Sequence, residues 1–141
     1  MSNIVRGSRF EREFCERLRE NGFWALRIPQ SASGQQPADV VAIKGRYHAL
    51  IDCKVVSTKH GFSFERVEDN QRIAMHLFRQ KCNEWGWFAI LTPEMEIRMM
   101  SYAQLSACER VGMKSLPLSE MRNPCYTGSF EEWVRRADEW K

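Results

Sequence analysis

The chain has 141 residues, 43% of them hydrophobic and 28% charged, with a formal net charge of +3. That is the length and balance of one soluble domain able to bury a core without disulfides or structural metal, and it excludes a disordered or collagen-like chain. No run approaches the ~18 apolar residues of a membrane span, and Met1 to Arg6 lacks a signal peptide's apolar stretch, so the expectation is a cytoplasmic protein with no membrane partner. The charge is uneven: residues 1–60 carry 10 Lys/Arg against 6 Asp/Glu, and residues 61–141 carry 11 against 12. Five cysteines, at 15, 53, 82, 108 and 125, show neither a C-x-x-C pair nor zinc spacing with histidine. They read as reduced, mostly buried thiols.

In chain order, Ser8 to Asn21 predicts a first helix with Phe10, Phe14 and Leu18 as its buried stripe and Gly22 as its stop. Ser8-x-x-Glu11 is itself a capping-box pattern, and Glu13 is spaced to meet Arg9 or Arg17. Phe23 to Ile28 predicts a strand, and Pro29 to Gln36, rich in Ser, Gly and Gln, a loop. Pro37-Ala38-Asp39-Val40-Val41-Ala42-Ile43 and Ala49-Leu50-Ile51-Asp52-Cys53-Lys54-Val55 then read as neighbouring strands around a Gly45-Arg46 turn. A second helix is expected from Asp69 or Asn70 to Trp85, burying Ile73, Ala74, Leu77, Phe78 and Trp85. Trp87 to Leu91 and Met95 to Met100 predict two more strands, Tyr102 to Arg110 a short helix, and Ser129-Phe130-Glu131-Glu132 a capping box opening a last one. Strands threaded between helices make this an α/β chain with one mixed sheet. The division expected is a single domain, its core at about 7–105 and a helical extension at about 106–141, packed on that core or against a second subunit.

Chemistry concentrates on the two central strands. Alternation puts Asp52 and Lys54 on one face and Ile51, Cys53 and Val55 on the other. A carboxylate on a half-buried strand must be paired or bound to metal. Two hard oxygen ligands, Asp39 and Asp52, suit Mg²⁺, which is content with one or two carboxylates plus phosphate oxygens. Lys54 would stand where it can orient a water or stabilise charge on a scissile phosphate. The plainer reading is an Asp52–Lys54 ion pair on a strand face, with Asp39 a turn residue.

Four pieces in order carry a resemblance. They are Gly7-Ser8-Arg9-Phe10-Glu11-Arg12-Glu13; Arg27 with Ser31-Ala32-Ser33-Gly34; Asp39 with Asp52-Cys53-Lys54; and Asp69-Asn70-Gln71. Together they resemble the PD-(D/E)xK nuclease superfamily, and more closely the Holliday junction resolvases of the archaeal Hjc and bacterial RecU type, phage members included. Asp52 departs from the pattern, since these resolvases usually carry glutamate there.

The resemblance implies a restriction-endonuclease-like core, a central mixed sheet flanked by helices, and a Mg²⁺-dependent endonuclease, with Mn²⁺ as a substitute, that resolves four-way DNA junctions. It implies Asp39 and Asp52 as metal ligands with the Cys53 backbone carbonyl, Glu11 supporting them, Lys54 positioning the water, and Gln71 bonding the water or the phosphate. Arg9, Arg12, Arg27, Ser31 and Ser33 would contact the DNA backbone. It further implies 5′-phosphate and 3′-hydroxyl ends, a homodimer supplying one site per nick, and no small-molecule cofactor. Another nuclease on the same scaffold, acting on flaps or duplex, and a non-catalytic DNA-binding module are the competing readings.

Overall fold

A computed structural model of the chain describes residues 3–29 and 36–139. Helix α1 spans Asn3–Glu20, and Phe10, Phe14 and Leu18 are buried along one side. The helix begins a full turn ahead of Ser8. That residue's N–H is therefore already committed inside the helix, and the capping-box reading of Ser8 and Glu11 is overturned.

Six strands form the main sheet in the order β1 (Trp24–Arg27), β2 (Val40–Lys44), β3 (Tyr47–Val55), β5 (Gly86–Leu91), β6 (Ile97–Ser101) and β8 (Gly128–Ser129). Two short strands, β4 (Phe62–Ser63) and β7 (Ser115–Leu116), pair separately. β2 and β3 are an antiparallel hairpin closed by Gly45 and Arg46, and Gly45 takes the left-handed φ of +59° that such a two-residue turn requires. β3 and β5 run parallel, so the chain must cross over between them. Helix α2 (Asp69–Cys82) lies in that crossover, and the sheet is mixed, as expected.

Alternation along β3 splits the core. Ala49 and Ile51 point to one face, packed with α1 and with helix α4 (Phe130–Glu139). Leu50 points to the other, with Met75 of α2 and with Leu105 of helix α3 (Tyr102–Arg110). The C-terminal segment belongs to this core: β8 pairs with β6, and Phe130, Trp133, Val134 and Ala137 are buried, Trp133 stacking on Phe23 with centroids 5.2 Å apart. Ser129 Oγ accepts the Glu132 N–H at 3.1 Å, the cap its spacing predicts.

Helix α2 differs from expectation. Its N-cap is Glu68, in a capping box with Gln71, and it ends at Cys82, with Asn83 left-handed as C-cap. Gln71 and Met75 face the sheet, Met75 so tightly that a Cβ on Gly86 would stand 2.5 Å from its Cγ. Ile73 and Leu77 are not buried but 61% and 46% exposed. The helix offers two apolar stripes, and the sheet can cover only one. Trp85 lies beyond the helix under the Arg79 guanidinium, 4.3 Å from its ring centroid. Of the cysteines, Cys15 and Cys108 are buried while Cys82 and Cys125 are exposed, so burial holds for fewer of them than expected.

Candidate active site

Register brings the two carboxylates together. Val40 pairs with Ile51 in the β2–β3 ladder, which sets Asp39, one residue before β2, opposite Asp52. The Asp39 backbone is tied to both neighbours: its N–H donates to Ile51 O at 3.0 Å, and its carbonyl accepts Ile28 N–H at 2.8 Å. Its side chain reaches β3, where Asp39 Oδ2 accepts the Cys53 N–H at 2.7 Å. The N–H and C=O of one strand residue project to the same side, so the Cys53 carbonyl also faces the edge from which Asp39 approaches.

Both acids are buried, Asp39 at 8% and Asp52 at 1% exposure. Burial, and then the neighbouring Asp52, push the Asp39 carboxyl up to about 9. Two carboxylates this close, out of water, cannot both ionise without a cation between them. Asp52 is held from two sides. Gln71 Nε2 donates to Oδ1 at 3.2 Å, and Lys54 Nζ stands 2.9 Å from Oδ2. The lysine contact has the distance of an ion pair but not the angle of a hydrogen bond, so Oδ2 has no hydrogen-bond partner among the described residues.

That orphaned oxygen, the proton forced onto Asp39 and the nearby Cys53 carbonyl are the signature of a site built for a cation. Among the described residues no three His, Cys, Asp or Glu side chains gather into a metal cage. Two carboxylates with open positions suit Mg²⁺ and do not suit a structural zinc site.

Lys54 is itself buried, and its ammonium donates to the Arg66 carbonyl at 3.0 Å. With Asp52 beside it, two of its three donor positions are directed within the protein. Glu11 does not join the acid pair. Its Oε2 accepts from Arg27 Nη2 at 3.0 Å, although its charge still reaches Asp39. Arg27 Nη2 also touches Ser8 Oγ at 3.3 Å.

A family model described as archaeal Holliday junction resolvase (Hjc) matches residues 2–120. The chain belongs to this family. Among curated Hjc proteins it is similar to the crossover junction endodeoxyribonuclease Hjc of Sulfurisphaera tokodaii, 30% identical over 110 residues that cover 77% of this chain and 74% of that one. It is also similar to the enzyme of the same name from Sulfolobus acidocaldarius, 41% identical over 63 residues, which span 43% of either chain. The solved Hjc of Archaeoglobus fulgidus, a Holliday junction resolvase from an archaeal hyperthermophile, superposes with a TM-score of 0.67 at 20% identity over 92% of this chain and 98% of that one. The likeness extends to the fold, a mixed sheet between helices.

Within the Hjc frame, Arg9 and Arg12 lie exposed on α1, and Arg9 Nε meets Glu13 Oε1 at 2.9 Å, the spacing expected. Ser31 and Ser33 lie outside the described residues. Gln71 stands in the site differently from the sequence expectation: its Nε2 holds Asp52, and its Oε1 accepts the Glu68 N–H at 3.0 Å. Sequence reasoning missed Arg66, whose carbonyl anchors Lys54 and whose Nη1 donates to Val55 O at 2.9 Å. No side-chain pattern signals a backbone anchor. No helix of the described residues is long and apolar enough to cross a membrane.

Proposed function

We infer that this protein is an endonuclease that resolves four-way DNA junctions by paired symmetric nicks, dependent on Mg²⁺ and working as a homodimer. The observation that carries the reading is the buried Asp39–Asp52 pair with Lys54 beside it. The curated names of its relatives supply the substrate.

Asp39, Asp52 and the Cys53 carbonyl would hold Mg²⁺, and Mn²⁺ would fit the same oxygen donors. When bound, the ion supplies Lewis-acid polarisation of the scissile phosphate and offsets the charge of the two carboxylates. The protein's own groups do the rest. Lys54 keeps one N–H for the attacking water or a phosphate oxygen, and stabilises the negative charge that grows there. Water adds to phosphorus, the bond to the 3′ oxygen breaks, and the proton ends on that oxygen, leaving 5′-phosphate and 3′-hydroxyl ends. Gln71 keeps Asp52 in orientation, and Glu11, steadied by Arg27, supports the site from α1. Arg9, Arg12 and Arg27 would grip strand phosphates, with Ser31 and Ser33 adding hydroxyl contacts to the DNA backbone; such contacts fix register without reading sequence.

An exposed apolar surface supports the dimer. Ala25 is buried toward α1, so Trp24 and Leu26, 58% and 49% exposed, point to the α2 side of the sheet edge. Ile73 and Leu77 look the same way, since Asn70 on that flank of α2 donates to Gln36 O at 2.6 Å beside the β1–β2 edge. Large exposed side chains gathered on one side mark a contact surface.

The test is nicking of a fluorescent four-way junction with and without Mg²⁺, beside a flap and a linear duplex. Wild-type protein should cut the junction in symmetric pairs, and Asp39→Asn should bind it without cutting. Undiminished cutting by Asp39→Asn would falsify the site; preference for the duplex or flap would reject the substrate.

A further inference from the structure

At the opposite end of β3 from the acid pair lies a cleft of about 660 Å³, bounded by the C-terminal end of α2, the start of β5 and the N-terminal end of α4. Tyr47 and Asp52 are five residues apart on β3, which separates the cleft from the acids by roughly 17 Å. Its volume falls in the range of small-molecule sites, ~300–1,000 Å³. Its walls are aromatic: Tyr47, Trp85, Trp87 and Trp133 all line it.

Three features give the cleft polar specificity. The indole N–H groups of Trp87 and Trp133 are buried and have no hydrogen-bond partner among the described residues. Leaving such donors unmet costs about 1–3 kcal/mol each, and a native protein keeps them for a reason. Trp133 cannot turn away, because it is 4% exposed, stacked on Phe23 and edge-on to both Tyr47 and Trp87. The Tyr47 hydroxyl is held protonated by burial. On the rim, Arg79 and Arg136 are matched by Glu84 and Glu132, so the cleft selects no net charge. An occupant must be planar and aromatic, offer acceptors to the indole and phenol donors, and offer donors to the rim carboxylates.

We propose that this cleft is a second ligand site that takes a nucleobase, stacked on the tryptophans with its acceptor edge toward Trp87 and Trp133. The base comes either from a free nucleoside or from an unpaired nucleotide of a DNA strand. The site is independent of the acid pair, so its test stands apart from that of nicking.

The probe is 2-aminopurine, whose fluorescence is quenched on stacking, titrated as its deoxyriboside and, separately, within a short single strand. Saturable quenching is expected in at least one arm, the tighter arm identifying the source. Trp87→Phe, which keeps the ring and removes the N–H, should weaken that binding roughly three- to tenfold, one hydrogen bond's worth. Trp85→Ala, at a half-buried position, should weaken it as well and guards against a folding defect in the first variant. Junction nicking should be unchanged in both. No saturable quenching in either arm, or binding that both variants leave at wild-type affinity, overturns the proposal; the two indoles would then serve only ordered water.

Discussion

Gln71 donates to Asp52 Oδ1 at 3.2 Å while its other end accepts the Glu68 N–H at 3.0 Å, so one buried side chain fixes both the first turn of α2 and the orientation of an acid on β3. The catalytic sheet and the crossover helix are thereby locked in register through a single amide. Gln71→Ala should lower junction nicking by about 10–100-fold, the usual cost of losing a partner that orients a metal ligand. It should also remove about 1 kcal/mol of stability through the lost cap. Mg²⁺ titration of the nicking rate, with a denaturant melt beside it, checks both; an unchanged metal requirement would leave Gln71 only a cap.

Lys54 is buried between Asp52 and the Arg66 carbonyl, and truncating it strands a charge. Lys54→Met keeps the aliphatic stem and should abolish measurable nicking. It should cost about 3–5 kcal/mol of stability in Mg²⁺-free buffer, the penalty for leaving one partner of a buried pair. Adding Asp52→Asn to that variant should recover most of the stability and none of the activity. Additive losses in the double variant would show that the two groups are not coupled.

Much of this site was legible in the sequence because its logic is local. Proline before Asp39, a glycine turn and the two-residue alternation around Asp52 place both acids without tertiary information. The same locality misled at Ser8, whose capping pattern was overridden by a helix that starts earlier. In α2, Ile73 and Leu77 compete with Ala74, Met75 and Phe78 for the core, and only the position of the sheet decides between the stripes. The role of Gln71 depends on a partner 19 residues away, and that of Arg66 on a backbone carbonyl. Neither leaves a trace in residue type.

The losing stripe of α2 leads to a prediction about assembly. Ile73 and Leu77, with Trp24 and Leu26 across the same side, are exposed to an extent that a lone subunit gains nothing from. Leu77→Glu should shift the protein toward monomer in sedimentation while leaving its melting within about 0.5 kcal/mol, since the position is on the surface. On a four-way junction the variant should make single nicks and lose their pairing. A variant that stays dimeric and nicks in pairs would move the interface elsewhere.

Metal binding and proton release should be linked at Asp39. Without metal its carboxyl is pushed from an ordinary 3.8 up to about 9 by burial and by Asp52. The folded state therefore holds a proton that the unfolded chain has already lost, and the stability this contributes, full below pH ~4, drains away as pH rises toward ~9. Metal-free protein should accordingly melt at progressively lower temperature across that range, and Asp39→Asn, which cannot ionise, should lose the Asp39 part of that slope. Mg²⁺ must displace the same proton, so it should raise the melting temperature more at pH 8.5 than at pH 6. Calorimetry in buffers of different ionisation heat should detect close to one proton released per ion near neutral pH. A Mg²⁺ stabilisation independent of pH would mean that the ion does not engage Asp39.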